Sequence, residues 1–186
     1  MTQKPAIPPG TPRARRAASL SPSSTSIKSP KYLKSGAKTF DKIDTVSFLK
    51  AFHYEPLERV EVIKRGVPAA MVVAVSDRMG ISKERLFKTL GLPRATVDRK
   101  VREKKALSPD ESSRVLGVAR LVGQVQSMVN ESGNPEGFNA AEWVARWLDR
   151  PVPALGGRRP AELMDTAEGQ AIVANLVERA QSGAYS

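Results

Sequence analysis

Cysteine is absent from the 186-residue chain, and histidine occurs once, at His53. Without thiols the chain can form neither disulfides nor thiolate metal sites. One imidazole argues against a histidine-based metal site and a Ser-His triad. No glycine-rich phosphate loop or dinucleotide fingerprint is present either. Because catalysis needs a positioned base, nucleophile or metal, we expect no enzyme activity, no metal site and no cofactor.

Long apolar runs are missing as well. The longest surrounds Val72–Val75, far short of the roughly 20 residues that span a bilayer. No apolar segment follows the basic N-terminal residues, as a signal peptide would require. We therefore expect a cytoplasmic protein without membrane association. Aromatic residues make up 5% of the chain and hydrophobic residues 40%, so any core must be mainly aliphatic.

Basic residues exceed acidic residues by 11, and the excess is uneven along the chain. Residues 1–50 carry 10 Lys/Arg against 2 Asp/Glu, and residues 51–126 carry 15 against 9. Residues 127–186 carry 5 Lys/Arg against 8 Asp/Glu and are mildly acidic. A strong positive charge favours DNA, RNA or an anionic surface as a partner. The change of sign predicts separate partners for the two halves.

Composition divides the chain into three parts. Residues 1–45 hold six of the 14 prolines and a Ser/Thr cluster, and such a segment cannot bury enough apolar surface to fold. We predict a disordered basic Pro/Ser-rich tail there, or an arm that follows DNA phosphates. Beyond residue 45 the hydrophobic pattern has a helical period and strand signals are scarce, so the predicted class is all-α. The predicted domains are residues 46–126 and 127–186.

Local signals place most of the helix ends. The apolar face of a first helix is predicted to hold Leu57, Val60 and Ile63, with Gly66 ending that helix. Ser82 and Asn139 are typical N-caps, and Asp165 with Glu168 is predicted to cap the last helix. The string Ser108-Pro109-Asp110-Glu111 is a complete helix start. Behind it, one continuous apolar seam is formed by Val115, Val118, Val122, Val125 and Val129.

Residues 83–103 fit a helix-turn-helix, which needs two helices crossing at a tight turn. Gly91 tolerates the positive φ that such a turn requires. The positions that set the crossing angle are all aliphatic: Leu86, Leu90, Leu92, Val97 and Val101. Phe87 departs from the pattern, because small residues are usual at its position.

The second helix of this unit would enter the major groove. The outward-facing residues at its N-terminal end, the part that contacts base edges, are Arg94, Ala95, Thr96, Asp98 and Arg99. Of these we predict DNA contacts from Arg94, Thr96, Asp98 and Arg99. Arg102, Lys104 and Lys105 are better placed to bind phosphates. The alternative is an ordinary helical hairpin with a solvated basic face.

The C-terminal part of the chain resembles a known family. The strings that carry the resemblance, in order, are Leu107–Arg114, Trp147-Leu148, Ala154–Pro160, Asp165–Gly169 and Ser182–Ser186. In that order and spacing they resemble the Xre/MbcA/ParS antitoxins, the partners of RES-domain toxins. The resemblance covers about residues 52–186 and is strongest in the last sixty.

The resemblance implies both a fold and a function. An Xre/Cro-like helix-turn-helix domain would bind the operon's own promoter as an autorepressor. A small helical domain would dimerise and bind an NAD-consuming RES-domain toxin, blocking its active-site entrance, so the implied partners are this toxin, promoter DNA and a second copy, in a complex of higher order. By analogy, the toxin-binding residues are Gly157, Arg159, Pro160, Gly183, Tyr185 and Ser186.

Other interpretations of the same residues remain open. Gly156-Gly157 can be a plain turn, and Trp143 and Trp147 fit a core or a dimer interface. The whole chain can also be a stand-alone helix-turn-helix regulator or nucleoid-associated protein whose C-terminal domain only dimerises. RNA binding is less favoured, because the chain lacks a GXXG clamp and the stacking aromatics of an RNA-binding sheet.

Overall fold

The computed structural model describes residues 47–133 and 135–181, and within these ranges the chain is helical with no β-strand. The predicted all-α class is therefore confirmed. The predicted tail, residues 1–45, and the C-terminal residues Gly183, Tyr185 and Ser186 lie outside the described residues. No helix in the described ranges is long and apolar enough to cross a membrane.

The α-helices are α1 (Phe48–His53), α2 (Pro56–Arg65), α3 (Ala70–Met79), α4 (Lys83–Thr89), α5 (Arg94–Arg102), α6 (Pro109–Glu131), α7 (Ala140–Leu148) and α8 (Ala167–Gln181), with short 3-10 helices at Pro153–Leu155 and Pro160–Leu163 before α8.

Helix α6 is the centre of the fold and contacts α1, α2, α3, α7 and α8. Its predicted valine seam is confirmed from Val115 to Val125, whose members are buried, whereas Val129 is only half-buried. The start of α6 is also as predicted. The Ser108 hydroxyl accepts from the Glu111 amide, and the Glu111 carboxylate accepts from the Ser108 amide. The domain boundary that we place at residue 126 lies within α6 and stays a prediction.

Two glycines allow other segments to approach α6 closely. A Cβ on Gly123 would overlap the backbone carbonyl of Phe48 in α1, and a Cβ on Gly117 would overlap the Gln170 side-chain amide of α8. A methyl group at position 123 would meet backbone atoms, whereas one at position 117 would meet the end of a long side chain. The two positions therefore differ in how easily the structure can accommodate a methyl group.

Gly123→Ala is expected to lower the free energy of unfolding by about 1–3 kcal/mol, the usual cost of overpacking. Helix propensity alone predicts the opposite sign, a gain of about 1 kcal/mol. Urea denaturation of the parent and the variant shows whether the free energy of unfolding falls or rises. Gly117→Ala is the matched control, and we expect a smaller loss because Gln170 can rotate away. An unchanged or increased stability of Gly123→Ala would contradict this contact.

Some predicted apolar faces are wrong. On α2, Leu57 is 80% exposed and Val60 44% exposed, while Val62 is buried. On α8 the apolar pattern predicts a buried face that includes Ile172, Val173 and Val177, but Ile172 is 41% exposed whereas Val173 and Val177 are buried. A short helix with apolar residues on more than one side can bury either side, and the helix on which it packs decides which.

The start of α8 differs from the prediction by one residue. Thr166 is the capping residue, since its hydroxyl accepts from the Gly169 amide at 3.0 Å. Asp165 instead lies in the preceding turn, where its Cβ comes close to Gly91. The side chains of Thr and Asp are both able to accept hydrogen bonds from the first amides of a helix. Which of Asp165 and Thr166 is the cap therefore depends on where the preceding turn ends.

Candidate nucleic-acid interface and partner-binding region

Helices α4 and α5 form the predicted helix-turn-helix. Gly91 has a φ of 58°, and the amide of Leu92 donates to the Phe87 carbonyl across the turn at 2.8 Å. Phe87, the unusual residue, is 3% exposed and belongs to the core. Four of the predicted spacing residues, Leu86, Leu90, Leu92 and Val97, are buried, and Val101 is half-buried.

An arginine from α6 fixes the turn between the two helices. The Nη1 atom of Arg114 donates to the carbonyls of Leu90 at 3.0 Å and Gly91 at 2.8 Å, and its Nη2 atom pairs with Asp110. Carbonyls at a helix C-terminus lack partners within the helix, so a cationic donor there stabilises the turn. Sequence reasoning did not assign this role, because Arg114 lies far from Gly91 along the chain.

The inner side of α5 is held by a buried ion pair. Lys100 Nζ donates to Glu111 Oε2 at 2.5 Å, and the two side chains are 18% and 7% exposed. Burial raises the pKa of the Glu111 carboxyl, but the hydrogen bonds from Lys100 and Ser108 outweigh it and leave that pKa below its usual value. The carboxylate that completes the capping box of α6 therefore also sets the position of α5.

The outer side of α5 carries the predicted DNA-contacting residues. Arg94, Arg99 and Arg102 are exposed, whereas Thr96 and Asp98 are half-buried. Asp98 accepts from Lys83 at 3.0 Å and lies 3.6 Å from the Arg94 guanidinium. The Lys83 hydrogen bond, with the charges of Lys83 and Arg94, holds the pKa of Asp98 below its usual value despite some desolvation. Asp98 thus orients Lys83 at the start of α4 and Arg94 at the start of α5.

The remaining two predicted phosphate contacts follow the end of α5. Lys104 has a φ of 53° and is exposed. The amide of Lys105 donates back to the Lys100 carbonyl at 2.9 Å, which closes the helix. Lys105 Nζ lies 2.8 Å from Glu103. The seven predicted residues therefore lie on or just beyond one helix.

The described members of the predicted toxin-binding set lie in the segment between α7 and α8. Gly157 is exposed, with a φ of 81° and open space around its Cα. Arg159 is exposed as well, but Pro160 is buried. The amide of Val152 donates to the Arg158 carbonyl at 3.0 Å and holds this turn together.

An apolar groove of about 310 Å³ is lined by residues of α6, α7 and α8. The rings of Trp143 and Trp147 stack in it with centroids 5.9 Å apart and planes 9° apart. Both side chains are half-buried, so they contribute to the core and to the surface together. The other lining residues are Val125, Met128, Val129, Ser132, Phe138, Val177 and Ala180.

Two family models match the chain. The model of the antitoxin Xre-like helix-turn-helix domain matches residues 58–120 and covers α4 and α5. The model of the antitoxin Xre/MbcA/ParS C-terminal toxin-binding domain matches residues 136–183. The second match favours an antitoxin over a stand-alone regulator, because it assigns the C-terminal region to toxin binding.

Curated relatives agree with these models. The chain is 41% identical to a Prs ADP-ribosylating antitoxin of Sphingobium sp. (strain YBL2), over 83% of this chain and 98% of the relative. It is 26% identical to an antitoxin Xre of Yersinia enterocolitica, over 74% of this chain and 100% of the relative. An antitoxin Xre of Photorhabdus laumondii is 23% identical, over 67% and 79%. The chain therefore belongs to the Xre-type antitoxin family and is the antitoxin of a toxin–antitoxin system, with a helix-turn-helix domain followed by a C-terminal toxin-binding domain.

Proposed function

We propose that this antitoxin neutralises an NAD-consuming RES-domain toxin by covering the entrance to its active site. The observation that carries the proposal is the 41% identity to a relative named for ADP-ribosylation, which extends over 98% of that relative. ADP-ribosylation takes its ADP-ribose from NAD, so a toxin of this type would consume NAD. In this proposal the antitoxin contributes no catalytic group and acts by obstruction.

The proposed contact surface is the turn before the second 3-10 helix, together with the C-terminal residues Gly183, Tyr185 and Ser186. Gly157 has no side chain and lies at an open position, so a partner backbone can approach it closely. Arg159 is exposed and can bind a carboxylate of the toxin through two parallel hydrogen bonds. Pro160 is buried, so we assign it the positioning of Arg159 rather than a contact of its own.

Arg159→Ala is expected to weaken toxin binding about 30-fold or more, since losing one partner of an interfacial charge pair costs about 2–5 kcal/mol. NAD consumption by the purified toxin, titrated with antitoxin, measures the effect. Arg158→Ala is the control, because Arg158 already pairs with Glu162 within the chain at 3.3 Å. We expect Arg158→Ala to inhibit like the parent.

Deletion of Ala184–Ser186 tests the C-terminal residues in the same assay, and toxin activity should return. Full inhibition by both Arg159→Ala and the truncated chain would contradict this assignment of the contact surface. A toxin that does not consume NAD at all would contradict the proposed toxin class.

We further propose that the antitoxin represses its own promoter as a homodimer, with α5 in the major groove. The support is that Arg94, Arg99 and Arg102 are exposed on the second helix of a helix-turn-helix. Glu111 and Arg114 of α6 hold the two helices in place through Lys100 and the Leu90 carbonyl. A dimer presents two such helices to half-sites related by a twofold axis. The mildly acidic residues 127–186 would stay free of DNA and available to the toxin, giving a larger complex.

A further inference from the structure

A second cavity, distinct from the groove at Trp143 and Trp147, lies between α1, α2, α6 and α8. Its volume is about 300 Å³, a size typical of sites for small molecules. Arg59 of α2 and Arg120 of α6 both line it. The polar side chains in its wall are Ser113, Gln124, Gln170 and Asn175.

The two arginines lack anionic partners in the part of the chain that the structure describes. Within residues 47–133 and 135–181, no carboxylate lies within 4.0 Å of either guanidinium. The Nε atom of Arg120 is inaccessible to solvent and has no acceptor there. A buried donor without a partner is costly, and a buried charge without one more so. Every other buried polar side-chain atom of the described residues has a partner except Arg114 Nε, whose guanidinium is already satisfied by Leu90, Gly91 and Asp110.

The arginines also oppose each other electrostatically. Burial, and then the positive charge of Arg59, lower the pKa of Arg120. Two like charges that line one cavity repel each other and raise the free energy of the empty site. An anion between them would attract both guanidinium groups and offset that repulsion. The wall holds no carboxylate. The Nε2 atoms of Gln124 and Gln170 already donate to backbone carbonyls, so the two guanidinium groups, with Ser113 and Asn175, are the groups that would bind an anion.

We propose that this cavity binds a phosphate group, either as inorganic phosphate or as part of a small phosphorylated metabolite. Guanidinium groups bind phosphate through paired hydrogen bonds, and two of them can share its oxygens. Ser113 and Asn175 offer further donors to a tetrahedral anion with several acceptor oxygens. The site lies on α6, α2 and α8 rather than on the outer face of α5, so it is separate from the proposed DNA contacts.

Thermal unfolding of the full-length antitoxin tests the proposal, with sodium phosphate exchanged for sodium chloride at constant ionic strength and pH. The parent is expected to gain roughly 5 °C or more at a hundredfold excess over Kd, because only the folded state holds the anion. AMP against adenosine, in the same assay and in calorimetric titration, distinguishes a phosphate ester from free phosphate. Either source supports the site, and adenosine should give no response.

Three variants make the test specific, because phosphate also stabilises many proteins by exclusion from their surface. Arg120→Gln should lose the phosphate-dependent gain, and Arg59→Gln, on α2, should reduce it. Arg146→Gln is the matched control, since Arg146 is exposed on α7 and lies outside the cavity. A parent that does not respond, or an Arg120→Gln variant that responds as the parent does, overturns the proposal.

Discussion

Glu111→Ala is expected to lower the free energy of unfolding by about 3–5 kcal/mol, the usual cost of removing one partner of a buried ion pair. The Glu111 side chain is 7% exposed and accepts from both Lys100 and the Ser108 amide. Its loss leaves the Lys100 ammonium buried without a counter-charge and removes half of the capping box of α6. Because domains are stable by only about 5–15 kcal/mol, this change should be evident in chemical denaturation.

Glu142→Ala is the matched control for this prediction. Glu142 is also the third residue of a helix, accepts from its N-cap Asn139, and pairs with an arginine, but its side chain is 48% exposed. An exposed pair is worth about 0–1 kcal/mol, so the loss should be small. If the two alanine variants lose equal stability, burial is not the source of the effect.

The same carboxylate predicts a pH dependence. Since the folded-state pKa of Glu111 lies below its usual value of 4.5, its ionised form stabilises the fold. That contribution is complete above about pH 4.5 and is lost as the pH falls through the folded-state pKa. Between pH 7 and about pH 3, the free energy of unfolding measured by chemical denaturation should therefore fall more for the parent than for Glu111→Gln. An equal loss would contradict the assignment.

Replacing Arg94 and Arg99 together by alanine is expected to abolish the preference for promoter DNA. Each bidentate base contact is worth about 1–3 kcal/mol of discrimination, or roughly 5- to 150-fold in affinity. Arg99 should matter more, because Arg94 must first leave Glu84 and Asp98, at 3.4 and 3.6 Å. Fluorescence anisotropy with the promoter fragment and a scrambled duplex measures both affinities.

Arg102→Ala separates base contacts from phosphate contacts in that experiment. Arg102 lies at the end of α5, where a phosphate contact is proposed. Its loss should weaken binding to both duplexes equally and reduce the salt dependence by about one counterion. If the Arg94/Arg99 double variant keeps the parent's preference, α5 does not read the sequence.

The helix ends and the helix-turn-helix could be predicted because their signals are local. Ser82 and Ser108 act within one turn of their own helices, and Gly91 provides a positive φ regardless of what packs on it. The valine seam of α6 repeats over several turns, so its period is unambiguous. Family strings spread over residues 107–186 added the function, which no local signal carried.

Composition, hydrophobic period and local signals therefore identify the all-α class, most of the helices and the position of the helix-turn-helix, but not α1, which precedes the helix predicted as the first. Which faces are buried, as Leu57 and Val62 show, and which distant groups meet depend instead on how the helices pack. Arg114 reaches the turn at Gly91, Lys100 meets Glu111, and Arg59 shares a cavity with Arg120. The physical reason is that a cap or a turn involves neighbouring residues, whereas burial and ion pairing depend on the packing of helices that are far apart in the chain.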